Sequence, residues 1–420
     1  MPARTAPRPG VLAALAALTG AATALAGCSA APAPAVTPVA ATLPAAAPTT
    51  GTATAAKRVT APQVAAPVRR PAAARVAAPA VVATPMPRGA VVVGRNTAAS
   101  CTAAALEQAV RRVVARGSGT VSFACGPRPV RIVLTRPLKF TGTVKSSYAL
   151  DGRRMVTLDG ARRTGLVHLP NLGLSATFRN LAFVRARAPY QGAAIHGGYR
   201  NRLLIEDCSF TDNTVTWLHE DAFNGGGALF VHAGKATVRR STFVGNTALN
   251  GGAILNTTGD LVIERSSFRR NAARVAGKVG GGGAVTSDSG SLVVRRSSIR
   301  TNTAGAGGGL FVWNAKKKVS RIEDSFVTGN SATGKFTSGF GGGIRVGQGP
   351  LVVERSTISG NTAGTQGGGL YIADDAAVRV ARTAFVKNNG GYGGGAIFRV
   401  SGTITITRCT FSRNTPGDQR

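Results

Sequence analysis

Between residues 192 and 414, apolar and polar positions recur in short alternating bursts set between small residues. Leu261-Val262-Ile263-Glu264 and Leu351-Val352-Val353-Glu354 are two such bursts, rich in branched side chains, and they predict short strands. Each burst follows a Gly-Gly block that ends in an aliphatic residue: Ile195, Leu229, Ile254, Val285, Leu310, Ile344, Leu370 and Ile397. An asparagine follows 17 to 20 residues later, at Asn213, Asn246, Asn271, Asn302, Asn330, Asn361, Asn388 and Asn414. Three residues before each asparagine stands Phe210, Phe243, Phe268, Ile299, Val327, Ile358, Phe385 or Phe411. Eight units of 25 to 34 residues predict a solenoid or a propeller. A propeller blade needs about 40 residues, and no helical pattern separates the units. One unit per coil of a parallel β-helix remains.

In such a helix each coil bonds to the next at about 4.8 Å, and identical slots form columns. Glycine then suits corners of unusual backbone angle, and the asparagine suits an inward ladder of stacked amides. Cys208 and Cys409 occupy the slot that holds Ser241, Ser266, Ser297 and Ser356 elsewhere. Seven coils, roughly 34 Å, separate these cysteines, so the expectation is two free, buried thiols.

The paired GGA(I/L) and FxxN motifs resemble the repeats of chlamydial polymorphic outer-membrane proteins. They are also similar to exported bacterial proteins with the pectate-lyase-like right-handed parallel β-helix. The resemblance covers roughly residues 95–414. It includes an entry segment of Cys101-Thr102 and Leu106, then Gly119 to Gly126, Leu150-Asp151-Gly152 and Leu158-Asp159-Gly160. It implies an all-β, right-handed parallel β-helix solenoid of about eleven coils, capped at its N-terminus by a helix over residues 101–116. Cys101 and Cys125 bracket that helix and a strand and are expected to form a disulfide, which an exported chain permits. The β-helix domain is placed at 89–420, with the eight motif coils at 192–414.

Residues 1–27 carry Arg4 and Arg8, an apolar run from Val11 to Ala26, and small residues at the end, the pattern of a secretory signal. Leu25-Ala26-Gly27-Cys28 resembles the lipobox of bacterial lipoproteins, which implies cleavage before Cys28 and a lipid on its sulfur. No other stretch has 18 consecutive apolar residues, so the membrane is reached through the lipid alone. Residues 28–88 are mostly Ala, Pro, Val and Thr and predict a disordered tether. The expected setting is the cell envelope or the cell surface.

The formal net charge of +34, from 51 basic and 17 acidic residues, points to anionic partners. Export makes acidic glycans or another envelope polymer the expected ones, with no nucleic acid, and the chain is expected to be a monomer. Four residues before the Phe slot the chain reads Glu206, Arg239, Glu264, Arg295, Glu323 and Glu354, a column suited to cross-coil ion pairs. The next column contains Arg240, Arg265 and Arg296 on successive coils. It is either a solvated basic corner or a track for a polyanion. The residue after the aligned aliphatic includes Phe230, Phe311, Tyr371 and Phe398. Alternation puts this stripe outside, either to stack sugar rings or to be covered by loops or the tether.

Long connections follow alternate asparagines, and loops on rigid scaffolds concentrate function. Thr214 to Asn224 is the richest, with Trp217 as a ligand-binding candidate and Glu220 and Asp221 as acid/base candidates, against a plain surface loop with a hydrophobic anchor. Asp374 and Asp375 form a second acid pair, against an ordinary turn. No metal-ligand spacing links His168, His196, His219 and His232, and no cofactor motif stands out. The leading expectation is an adhesin-like, non-catalytic binder of an anionic polysaccharide. The alternatives are a polysaccharide lyase or glycoside hydrolase, in which an Arg neutralises a uronate, and a passive scaffold.

Overall fold

A computed structural model describes residues 82–216, 224–273, 280–334 and 338–417. Residues 1–81, with Cys28, lie outside the described residues, as do Trp217, His219, Glu220 and Asp221.

The described chain is an all-β, right-handed parallel β-helix of about eleven turns. Its strands form three parallel sheets of 21, ten and seven members. One coil serves for all. Ile254–Thr257 lies in the ten-stranded sheet, and Asp260–Glu264 and Ser267–Arg269 lie in the large one. Ala272–Ala273 closes the coil in the small sheet. In Asp260–Glu264, Leu261 and Ile263 point inward and are fully buried. They stack in register on Ala236 and Val238 of one neighbour and on Leu292 and Val294 of the other.

The asparagines hold the inner corner. At every step from Asn213 to Asn414, Nδ2 donates to Oδ1 of the next asparagine at 2.9–3.0 Å. The same Nδ2 also donates to the carbonyl of the Phe slot one coil back, as Asn302 does to Phe268 at 3.2 Å. Each Oδ1 accepts the backbone N–H of the preceding asparagine. All four capacities of a buried amide are therefore used. Beside this ladder the rings of Phe183, Phe210, Phe243 and Phe268 stack nearly parallel, with centroids 4.5–4.8 Å apart.

The serine slot forms a second ladder, which the sequence did not reveal. Ser266 Oγ accepts the Ser241 N–H at 3.1 Å and donates to the Glu264 carbonyl at 2.8 Å, and the pattern runs from Cys208 to Thr383. Cys208 is buried, which pushes its thiol up to about 12. Cys409 departs from expectation: it is half-buried, because no coil stacks on the strand Thr403–Thr407 among the described residues.

The glycine block has two separate causes. Gly251 and Gly282 adopt φ of +56° and +63°, open to glycine at little cost. Gly252 and Gly283 have no room for a side chain. A Cβ on Gly252 would meet the Gly283 carbonyl oxygen at 2.2 Å, and one on Gly283 would meet that of Gly308 at 2.2 Å.

At the N-terminal end, helix α1 (Ala103–Ala115) is capped by Thr102, whose Oγ1 accepts the Ala105 N–H. It buries Leu106, Ala109, Val110 and Val113 on the first coils. A disulfide joins Cys101 to Cys125, with Cα atoms 5.6 Å apart. Upstream of residue 89, Thr84 donates its N–H to the Arg153 carbonyl and accepts the Arg153 Nε–H at its own carbonyl. No helix among the described residues is long and apolar enough to cross a membrane.

Asn302→Ala would strip partners from Asn271, Asn330 and the Phe268 carbonyl at once. A loss of about 3 kcal/mol is expected from stranding these buried groups. Denaturant unfolding of the variant beside the wild type measures it, and an unchanged midpoint would refute the ladder's role.

Candidate functional site

The arginine column lies on a one-residue bend between the two long strand runs of the large sheet. Arg240, Arg265 and Arg296 have φ of +44°, +48° and +47°, and Asp207, Asp324, Arg355, Arg382 and Arg408 share the conformation. Such angles are uncommon outside glycine. They persist because the bend keeps the inter-coil ladder intact: Arg240, Arg265 and Arg296 donate their N–H groups to the carbonyls of Glu264, Arg295 and Glu323 on the next coil. A side chain there projects clear of the sheet, and all three arginines are exposed.

Charge pairing divides the column. Arg240 reaches Glu206 and Asp207 at 2.7 and 2.8 Å. Its hydrogen bond holds the Asp207 carboxyl below the usual range. Arg355 reaches Asp324 and Glu354, and Arg382 pairs with Glu354 as well. In the column before the bend, Arg239 binds Glu264 at 3.0 Å and Arg295 binds Glu323 at 2.9 Å. Ion pairs thus join adjacent coils in separate groups, with no pair between the coils of Arg265 and Arg296, rather than forming one continuous alternation. Such exposed pairs stabilise weakly, by about 0–1 kcal/mol each, but they fix which cations are spent. Arg265 and Arg296 form no close ion pair among the described residues, although, after the hydrogen bond from Arg355, the charge of Arg296 helps hold the Asp324 carboxyl below its usual range. They project into a solvent-open groove of about 500 Å³ lined also by Arg239, Arg240, Arg295 and Arg355 and by the ion-paired acids Glu264, Glu323 and Asp324.

The aromatic stripe does not serve as an open platform. Phe230 and Tyr371 are buried, at 2% and 6% exposure, and Phe311 and Phe398 are half-buried. They do lie outside the barrel, but glycine-rich turns fold over Phe311 and Phe398. A Cβ on Gly281 would meet the Phe311 ring at 2.9 Å, and one on Gly393 would meet Phe398 at 3.1 Å. The covered column holds a cation of its own. The Arg345 guanidinium sits 5.1, 5.6 and 5.8 Å from the ring centres of Phe311, Phe340 and Tyr371. Burial lowers its pKa. Lower in the same column His168 and His196 meet edge to face at 4.8 Å, and His196 tilts on Phe230 at 5.4 Å.

Asp374 and Asp375 are exposed, at φ of +53° and +64°, on the turn between Leu370–Ile372 and Ala377–Ala381. The five-residue strand Ala377–Ala381 separates that turn from the arginine bend at Arg382, a distance of about 16 Å. The structure therefore does not bring these acids and the arginine column to one bond. No group of three or more His, Cys, Asp or Glu suited to a metal occurs among the described residues.

One large exposed side chain went unread in the sequence. Phe326 is 56% exposed, one slot before the core residue Val327, where other coils carry Ser, Thr or Ala. The signal was available as a break in that column.

Residues 156–347 match the family model for the right handed beta helix region, and residues 355–373 match the Chlamydia polymorphic membrane protein repeat. The chain is a right-handed parallel β-helix, and one coil of it, at 355–373, matches the polymorphic membrane protein repeat. No curated protein sequence matches it. Among solved structures, it is similar to PfbA, a surface adhesin of Streptococcus pneumoniae. That match has 12% identity and a TM-score of 0.42, covering 78% of this chain and 92% of that one. It is also similar to the A-module of the mannuronan C-5 epimerase AlgE4 of Azotobacter vinelandii. Here the identity is 11% and the TM-score 0.36, covering 79% and 96%. Neither likeness is close enough to transfer an activity.

Burial lowers the His196 pKa to about 4, below the ordinary 6.5. The unfolded chain then binds more protons between those values, so this histidine's contribution is complete above about pH 6.5 and is lost as pH falls toward 4. His196→Phe, which copies Phe230 in register on the next coil, is expected to flatten part of that loss. Unfolding midpoints from pH 7 to 4 check it.

Proposed function

We propose that the chain is an exported, lipid-anchored envelope protein whose β-helix holds an anionic glycan at the arginine groove and leaves the polymer uncut. The observation that carries this reading is the pair Arg265 and Arg296. They sit on adjacent coils, projected by strained bends, and form no close ion pair, while Arg240 on one side and Arg355 on the other are each bound to acids. Planar guanidinium groups bind carboxylate or sulfate oxygens bidentately, and a repeat near 4.8 Å suits a polymer with one charge per sugar. The Cys101–Cys125 disulfide and the polymorphic-membrane-protein repeat support an exported setting. Nucleic acid is the less apt polyanion there. Lipidation at Cys28 would attach the chain to a membrane.

Replacing Arg265 and Arg296 together with Gln should weaken binding to polygalacturonate or alginate about tenfold and flatten its dependence on salt. Retention on immobilised polymer across a salt series measures both. Unchanged retention rejects the groove, and shortened or unsaturated products in the same incubation would indicate a lyase or hydrolase instead.

A further inference from the structure

Beyond the arginine bend, the short strands from Ser209–Thr211 to Thr410–Ser412 turn their middle residue into the core and the two flanking residues outward. Seven of the eight leading outer positions hold Ser, Thr or Ala, and the eighth holds Phe326. Six of the eight trailing positions hold Thr, Val or Ser, and the other two are Arg269 and Arg300. The three exceptions fall on consecutive coils. Arg269 pairs directly in register with Arg300, and Ser298, two residues before Arg300, pairs with Phe326. Phe326 is thus the diagonal neighbour of Arg300 on one face, within reach of long side chains.

Two features of this trio call for a ligand. Arg269 and Arg300 are exposed like charges set directly opposite one another, an arrangement that destabilises a sheet. Neither has an acidic partner among the described residues. The nearest acid of the bend column, Asp324, is bound to Arg355 at 2.7 Å. Phe326 is an exposed ring that meets no other aromatic ring or guanidinium among the described residues.

We propose that Arg269, Arg300 and Phe326 form a discrete subsite for one anionic pyranose unit, across the bend from the groove. The apolar face of the sugar lies on the Phe326 ring, and its carboxylate or sulfate bridges the two guanidinium groups and removes their repulsion. The Ser267 and Ser298 side chains flank the ring position on the same face. The subsite rests on the reading that the chain holds an acidic glycan, and it adds a contact to the sugar ring that the all-charge groove lacks.

The repeat supplies substitutions that the fold already tolerates. Phe326→Ser copies Ser298, and Arg269→Thr with Arg300→Thr copies Thr328. Titrate the full chain and each variant by calorimetry with a galacturonate oligomer, a sulfated dextran oligomer and neutral dextran. Thermal unfolding at the wild-type temperature verifies folding. Phe326→Ser is expected to lower affinity for an anionic oligomer about tenfold, or about 1.4 kcal/mol, with its salt dependence unchanged. The double arginine variant is expected to lower affinity and flatten the salt dependence. Loss confined to the galacturonate identifies a carboxylate, and loss confined to the sulfated oligomer identifies a sulfate; either supports the subsite. Wild-type affinity in Phe326→Ser, with binding lost on replacing Arg265 and Arg296, overturns the subsite and leaves the groove standing. Failure of the unaltered chain to bind either anionic oligomer overturns both.

Discussion

The structure depends on in-register stacking of one coil on the next, and the asparagine ladder is where that constraint is strictest. A buried amide with two donors and two lone pairs is costly unless every capacity is met. Here each is met only when the next asparagine sits directly above the last, with Nδ2 to Oδ1 distances of 2.9–3.0 Å. A slip of one residue would strand a donor and an acceptor at every coil it touched. It would also turn Leu261 and Ile263 outward and Val262 inward. The stacked phenylalanines and the second glycine of each block, whose missing Cβ lets backbones approach, are satisfied by the same registration.

Stacking also explains how a basic surface forms on so regular a frame. Because the bend is one residue in the left-handed region, every coil presents one side chain outward at the same height. The identity of that residue costs the core nothing, so charge there is free to vary. Acids at Asp207 and Asp324 close the run at either side, and the cations that form no close ion pair lie between them at Arg265 and Arg296. Loops did not need to build this groove.

The sequence was legible wherever a property belongs to a column. Asparagine, phenylalanine and glycine recur because each touches its own copy, so their spacing revealed the coil, the inward corner and the slot shared by Cys208. The capping helix was legible through Thr102 and the apolar face of α1. What could not be read is what lies over a column from outside. Alternation correctly placed Phe230 and Tyr371 outside the barrel. It could not show that both are buried, nor that glycine turns close over Phe311 and Phe398 of the same stripe, because that depends on how each turn folds back against the strand beside it.

Sequence alone therefore determined the parallel β-helix, the location of its core and the presence of a basic column, since these follow from period and composition. Tertiary structure decided which charges remain available. Arg240 and Arg265 look alike in the repeat, but the first is ion-paired with Asp207 and Glu206 and the second forms no ion pair among the described residues. It likewise decided that Asp374 and Asp375 stand a full strand away from Arg382, the bend arginine of their own coil. Pairing and distance depend on how neighbouring coils project their side chains in space, and one-dimensional spacing does not carry that information.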